Sequence, residues 1–162
     1  MNVNENKQNK ELLKQYLNQY YLCKVKKLQL EKRLKNIQEE MTTPIGGKGY
    51  APINHKGNDV GLGAASFVYR MSEIETRIEE QKVKVADALL RVMDVMDFLE
   101  ENSPERMVLE FRFIDCKSWN IIEKEMHFSR SMLFLYQNKA LEKLLTFKKV
   151  NTIVERYKVN IF

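Results

Sequence analysis

Residues 103–147 read SPERMVLEFRFIDCKSWNIIEKEMHFSRSMLFLYQNKALEKLLTF. Three serines in this stretch each stand at the head of an apolar run. Ser103 precedes Pro104 and Glu105, which together make a helix start: a hydroxyl to cap, a proline for the first turn and an acid for the dipole. Met107, Val108, Phe111 and Ile114 then carry a short helix from about Pro104 to Ile114. Asp115-Cys116-Lys117 reads as a turn, and Ser118 caps a helix of about two turns carrying Trp119, Ile121, Ile122 and Met126. His127-Phe128 is the next turn. Ser129 caps a longer helix with Met132, Leu133, Tyr136, Ala140, Leu141 and Leu144. A helix, a tight turn, a short helix, a short turn and a basic-ended helix is the spacing of a helix-turn-helix unit.

Upstream, apolar residues recur in strict three-four alternation. One stripe runs Leu13, Tyr16, Tyr20, Cys23, Leu30, Leu34, Ile37 and Met41, interrupted by Lys27. The other runs Phe67, Met71, Ile74, Ile78, Gln81, Val85, Ala88, Val92, Val95 and Leu99, with Gln81 its polar exception. Both are heptad stripes of long helices, each ~50 Å at 1.5 Å per residue. Between them lie all six glycines, Gly46 to Gly63, with Pro44 and Pro52. Residues 42–66 therefore form a Gly-rich loop, which we expect to be mobile. The expected fold is all-α: a long antiparallel, coiled-coil-like helical hairpin plus a C-terminal helix-turn-helix. The segments are 1–41, a long basic amphipathic helix; 42–66, the loop; 67–102, a long acidic amphipathic helix; 103–147, the helix-turn-helix; and 148–162, a basic tail, either a short helix packing back or a frayed end.

Charge follows the same division. Residues 1–41 carry a net of +4, residues 67–102 a net of −4 and residues 103–162 a net of +4, within a chain of 162 residues and +5 overall. Opposite signs suit pairing of the two long helices within one chain or between two copies. A basic C-terminal segment suits a polyanionic partner. No run approaches the ~18 uncharged apolar residues of a membrane span, and Met1–Lys10 has no apolar signal core. Two separated cysteines, Cys23 and Cys116, fit a reducing compartment. The expectation is a soluble, cytoplasmic protein without membrane contact.

Catalytic signatures are absent from the sequence. Gly46-Gly47-Lys48-Gly49 lacks the spacing and the Ser/Thr of a phosphate-binding loop. His55 and His127 are isolated and make no metal set. The adjacent acids Glu39-Glu40, Glu79-Glu80 and Glu100-Glu101 diverge on helix surfaces. No enzyme, cofactor or metal is expected.

The stretch from Glu105 to Ser131 resembles sigma factor region four. It is more similar still to the phage and prophage transcriptional regulators that carry that unit, of the RinA and ArpU type and their uncharacterised relatives. The resemblance lies in Leu109-Glu110-Phe111-Arg112-Phe113-Ile114, in Ser118-Trp119-Asn120-Ile121-Ile122 and in the tail Lys139-Ala140-Leu141-Glu142-Lys143-Leu144, and it covers about residues 104–145. Glu123 stands where such units have a small residue, and His127 where they have the turn glycine. The resemblance implies double-stranded DNA as partner, non-catalytic regulation of phage or prophage transcription, and contact with RNA polymerase or a second copy through the long helices.

It also implies the contacting residues. Ser129, Arg130, Ser131 and Phe134 begin the recognition helix, with Gln137 one turn further. Arg130 would read guanine, Gln137 adenine and Phe134 a thymine methyl. Lys117 and Ser118 would hold phosphate at the start of the supporting helix, and Lys139 and Lys143 would follow the backbone. The alternative for Phe134 and Leu135 is packing against the long helices or a partner protein. On that alternative the chain is a protein-interaction module whose helix-turn-helix no longer reads DNA.

Overall fold

The computed structural model describes residues 3–42 and 59–161. These residues are helical throughout, joined by short turns, with no strand among them. The helices are α1 (Val3–Leu17), α2 (Gln19–Thr42), α3 (Asp59–Met96), α4 (Pro104–Leu109), α5 (Trp119–Met126), α6 (Arg130–Leu145) and α7 (Lys148–Ile161), with a π-helical turn, Glu110–Ile114, directly after α4. None of them is long and apolar enough to cross a membrane.

Three boundaries differ from the sequence reading. The first helix is interrupted at Asn18, a weak helix former. The interruption is slight, because the Asn18 N–H still donates to the Lys14 carbonyl at 2.9 Å and its carbonyl accepts from the Leu22 N–H at 3.1 Å. The second long helix starts at Asp59, so residues 59–66 belong to it and not to the loop. A helix already nucleated extends cheaply, one bond per residue fixed, and Ala64 and Ala65 favour it. Gly63 sits there in open space. The expected mobility of the loop concerns 43–58, which lie outside the described residues. At its other end α3 stops at Met96, before the expected 102. Phe98 and Leu99 lie in the turn that follows and still pack into the core.

The chain divides into two compact units, Lys24–Lys84 and the remainder. In the first, Leu30, Ile78 and Gln81 are buried. Ile37 shares a shallow groove with Tyr69, Arg70, Ile74 and Arg77.

The second unit joins Met1–Cys23 to Val85–Phe162. Its main core takes Leu13 and Leu17 from α1, Val92, Val95 and Met96 from α3, Leu109 from α4, Leu141 and Leu144 from α6, and Val150 from α7, all fully buried. The last segment is thus a helix packed back on the body: Val150 and Val154 enter the core, Tyr157 meets Tyr16 edge-on at 5.7 Å, and Asn151 Nδ2 donates to the Leu145 carbonyl at 2.7 Å. Burial holds the Tyr16 phenol above its ordinary pKa. A second cluster lies among α4, α5 and α6. Val108, Ile122 and Leu133 form its centre, with Phe111, Trp119, Met126, Phe128 and Tyr136 around them. The turn from α3 into α4 is held by Arg106, which donates to Glu110 at 2.6 Å, Asp97 at 3.0 Å and the Leu99 carbonyl at 3.3 Å.

Cutting Leu17 to Ala should cost about 3 kcal/mol, as for other fully buried leucines. Amide exchange should show the loss in α6 and α7 as well as in α1. Loss confined to α1 would mean that α1 is a peripheral strap.

Candidate nucleic-acid interface

The residues singled out in sequence for contact with DNA lie on α6 (Arg130, Ser131, Phe134, Gln137, Lys139 and Lys143), at its cap (Ser129), and just before α5 (Lys117 and Ser118). Ser103 and Ser129 cap α4 and α6 as their spacing predicts: their hydroxyls accept from the Arg106 N–H at 3.2 Å and from the Met132 N–H at 3.4 Å. Ser118 has the extended backbone of a cap residue but its side chain makes no cap bond. It is exposed at the head of α5.

The turn from α5 to α6 passes through His127, whose backbone is left-handed (φ 56°, ψ 31°). Glycine reaches that conformation without steric cost and a histidine does not.

α6 packs along one side against α1, α4 and α5. Leu133, Gln137, Ala140, Leu141 and Leu144 are its inward residues. Ser131, Phe134, Leu135, Lys139 and Lys143 are exposed. Lys139 and Lys143 make no ion pair among the described residues, so their charges face water. The aromatic ring of Phe134 meets Trp119 edge-on, with centroids 4.8 Å apart. It therefore covers Trp119 while leaving part of itself, 41%, at the surface.

Gln137 is a correction. Its position seven residues into the helix suggested an outward amide, but only 8% of it is accessible. The reason is α1, which lies along this face of α6. Lys14 and Gln15 of α1, and Asn18 directly after it, line a cleft together with Gln137. Nothing in the periodicity of α6 itself reveals a helix that docks from 120 residues upstream.

Arg130 is placed at the head of α6 but is not free to donate. Its Nη2 donates to Asn120 Oδ1 and, at 2.6 Å, to Glu123 Oε2. Both Nη2 hydrogens are thereby engaged. Nε is buried and has no partner among the described residues. Only Nη1 remains, whereas bidentate reading of guanine takes two nitrogens. Sequence reasoning noted Glu123 as a substitution for a small residue but not its consequence. A carboxylate there reaches across the turn and holds the arginine.

Lys117 is likewise engaged. Its Nζ lies 2.6 Å from Glu125, 3.6 Å from Asp115 and 4.0 Å from the centre of the Phe111 ring. The hydrogen bond to Glu125 holds the ammonium above its ordinary pKa. Sequence reasoning missed Arg112 altogether as a candidate. Its Nη1 donates to the Lys117 carbonyl at 3.0 Å and its guanidinium lies over the Trp119 ring at 5.3 Å. A basic residue inside an apolar helix was the available signal.

Replacing His127 with glycine should relieve the left-handed backbone and stabilise the protein by about 1 kcal/mol. A thermal melt should rise by about 2–4 °C; an unchanged or lower midpoint would show that the imidazole makes compensating contacts.

Compared with known proteins, the chain matches no protein-family model, no curated protein and no solved structure.

Proposed function

We propose that the chain is a non-catalytic, DNA-binding regulator of transcription, of phage or prophage type. In this reading α5, the His127 turn and α6 are a helix-turn-helix like that of sigma factor region four, and α6 enters the major groove of promoter-region duplex. One observation carries the reading: α6 is packed along one face and open along the other, with Ser129 and Ser131 at its head and unpaired Lys139 and Lys143 on its outer side. A groove helix needs that division, a buried rear and a polar, cationic front. The residue-level resemblance of 104–145 supports it further.

The rest of the reading follows from the stripes. In this reading the parts of α2 and α3 within Lys24–Lys84 pair as an antiparallel hairpin, and Leu30 and Ile78, both buried in that unit, belong to its seam. The hairpin's outer surface, with exposed Leu28, Tyr69 and Val83, is then the place for RNA polymerase or a second copy. The protein would act in the cytoplasm.

A second reading has an observation of its own. Met132, Phe134 and Leu135 are 37%, 41% and 45% exposed on α6, and Arg130 is held by Glu123. Such a helix also suits a protein partner.

The first test is binding to random duplex DNA across a salt series. Log affinity should fall steeply with log salt, by about 0.9 per phosphate neutralised. Reversing Lys139 and Lys143 to Glu should flatten that slope by about 1 each with circular dichroism unchanged. Flat, weak binding at low salt would favour the protein-partner reading.

The held arginine yields a separate expectation. Glu123→Ala should free Nη2 of Arg130 and raise affinity for guanine-containing sites about tenfold. An unchanged affinity would remove Arg130 from the readout.

A further inference from the structure

α6 spans 16 residues, about 24 Å at 1.5 Å per residue. The major groove is only about 12 Å wide. A helix of that length with its head at base edges leaves the groove before its last turns, which then stand over phosphates. What surrounds the tail of α6 therefore decides how a duplex backbone is met.

That corner is rich in uncompensated positive charge. Lys139 and Lys143 on α6 and Lys148 and Lys149 at the start of α7 are exposed and make no ion pair among the described residues. Only Thr146 and Phe147 separate the two helices. α1 adds to the same corner. Lys10 pairs with Glu142 at 2.5 Å, so the N-terminal half of α1 lies beside the end of α6 from which α7 departs. Lys7 is exposed there and lines a groove with Asn138 and Glu142. It too makes no ion pair among the described residues. Glu142 is the one carboxylate that α6 carries, and Lys10 neutralises it. Glu11, on the same groove, is held by Lys14 at 2.8 Å. The next acid on α7, Glu155, lies two turns beyond Lys148. At the head of α6 the reverse holds, since Arg130 and Lys117 are both paired with carboxylates.

The arrangement costs the free protein something. Like charges repel, and Lys148 and Lys149 stand in the first turn of α7, which has no acid, at the positive end of its dipole. A polyanion laid across the corner relieves both terms.

We propose that Lys7 of α1 and Lys148 and Lys149 of α7 hold the phosphate backbone of duplex DNA, continuing the contact that Lys139 and Lys143 begin. This contact rests on α6 entering the groove, as proposed above, and brings into the interface two helices outside residues 104–145. It is a contact to phosphate, because a lysine offers a point charge and the base edges lie at the other end of α6.

The test is a salt titration of the full chain on duplexes of unrelated sequence. Replacing Lys7, Lys148 and Lys149 together with alanine should lower the slope of log affinity against log salt by about 0.9 for each lysine removed, equally on every duplex, with circular dichroism and melting unchanged. Replacing Lys26, Lys32 and Arg33, which are exposed on α2, removes the same net charge and should leave the slope as it was. A steep wild-type slope that persists in the first variant overturns the proposal and leaves α6 as a groove helix. Flat binding by the wild type overturns both. Equal losses in the two variants overturn it as well, because they report net charge and no contact, and so does a loss confined to one duplex sequence. Vesicles of anionic phospholipid should not compete; if they displace DNA from the wild type but not from the first variant, the corner is a lipid surface and the proposal falls.

Discussion

Leu13 and Leu17 leave no surface exposed, and the residues they are buried with lie far along the chain: Val92, Val95, Met96, Leu141, Leu144 and Val150. Everything in the second unit depends on that closure. Without α1, the inner faces of α6 and α7 would expose an apolar surface that α4 and α5 do not cover. The entropic charge for joining ends so distant is modest, because loop closure grows only as the logarithm of length, about 0.6 kcal/mol per doubling. Burying two leucines returns several times that. The segment 103–147 is therefore one part of a core that begins in α1, and its boundary at 103 is a boundary of sequence pattern only.

The same closure decides which side of α6 meets solvent. Lys10 of α1 pairs with Glu142 at 2.5 Å along the edge of α6, and Lys14 and Asn18 stand over Gln137. Helical period told which residues of α6 share a face, and it told that Leu133, Ala140, Leu141 and Leu144 point inward. It could not tell that the adjoining face, Arg130–Phe134–Gln137, is partly covered too, since that depends on a partner helix remote in sequence. Local signals fared better because their physics is local. Ser103 and Ser129 bond to amides three residues on, and heptad spacing is a property of one helix. Helix limits were less legible. Asp59 to Ser66 is rich in Gly and Ala and has no stripe of its own, yet it continues a helix nucleated downstream.

Charge on the candidate interface is arranged with more restraint than a count of cations suggests. Of the positive groups on α5, α6 and the turn before them, Lys117 and Arg130 are paired to carboxylates at 2.6 Å. Lys124, Lys139 and Lys143 make no ion pair among the described residues. A paired cation contributes less to a polyanion's field, and its pairing must be broken before it can donate elsewhere. On the proposed reading this surface would draw a weaker non-specific attraction than the +4 of residues 103–162 implies. It would owe more of any affinity to shape and to apolar contact through Phe134 and Leu135. Glu123 is the residue through which that balance is struck, since a small side chain there would leave Arg130 with two nitrogens to offer.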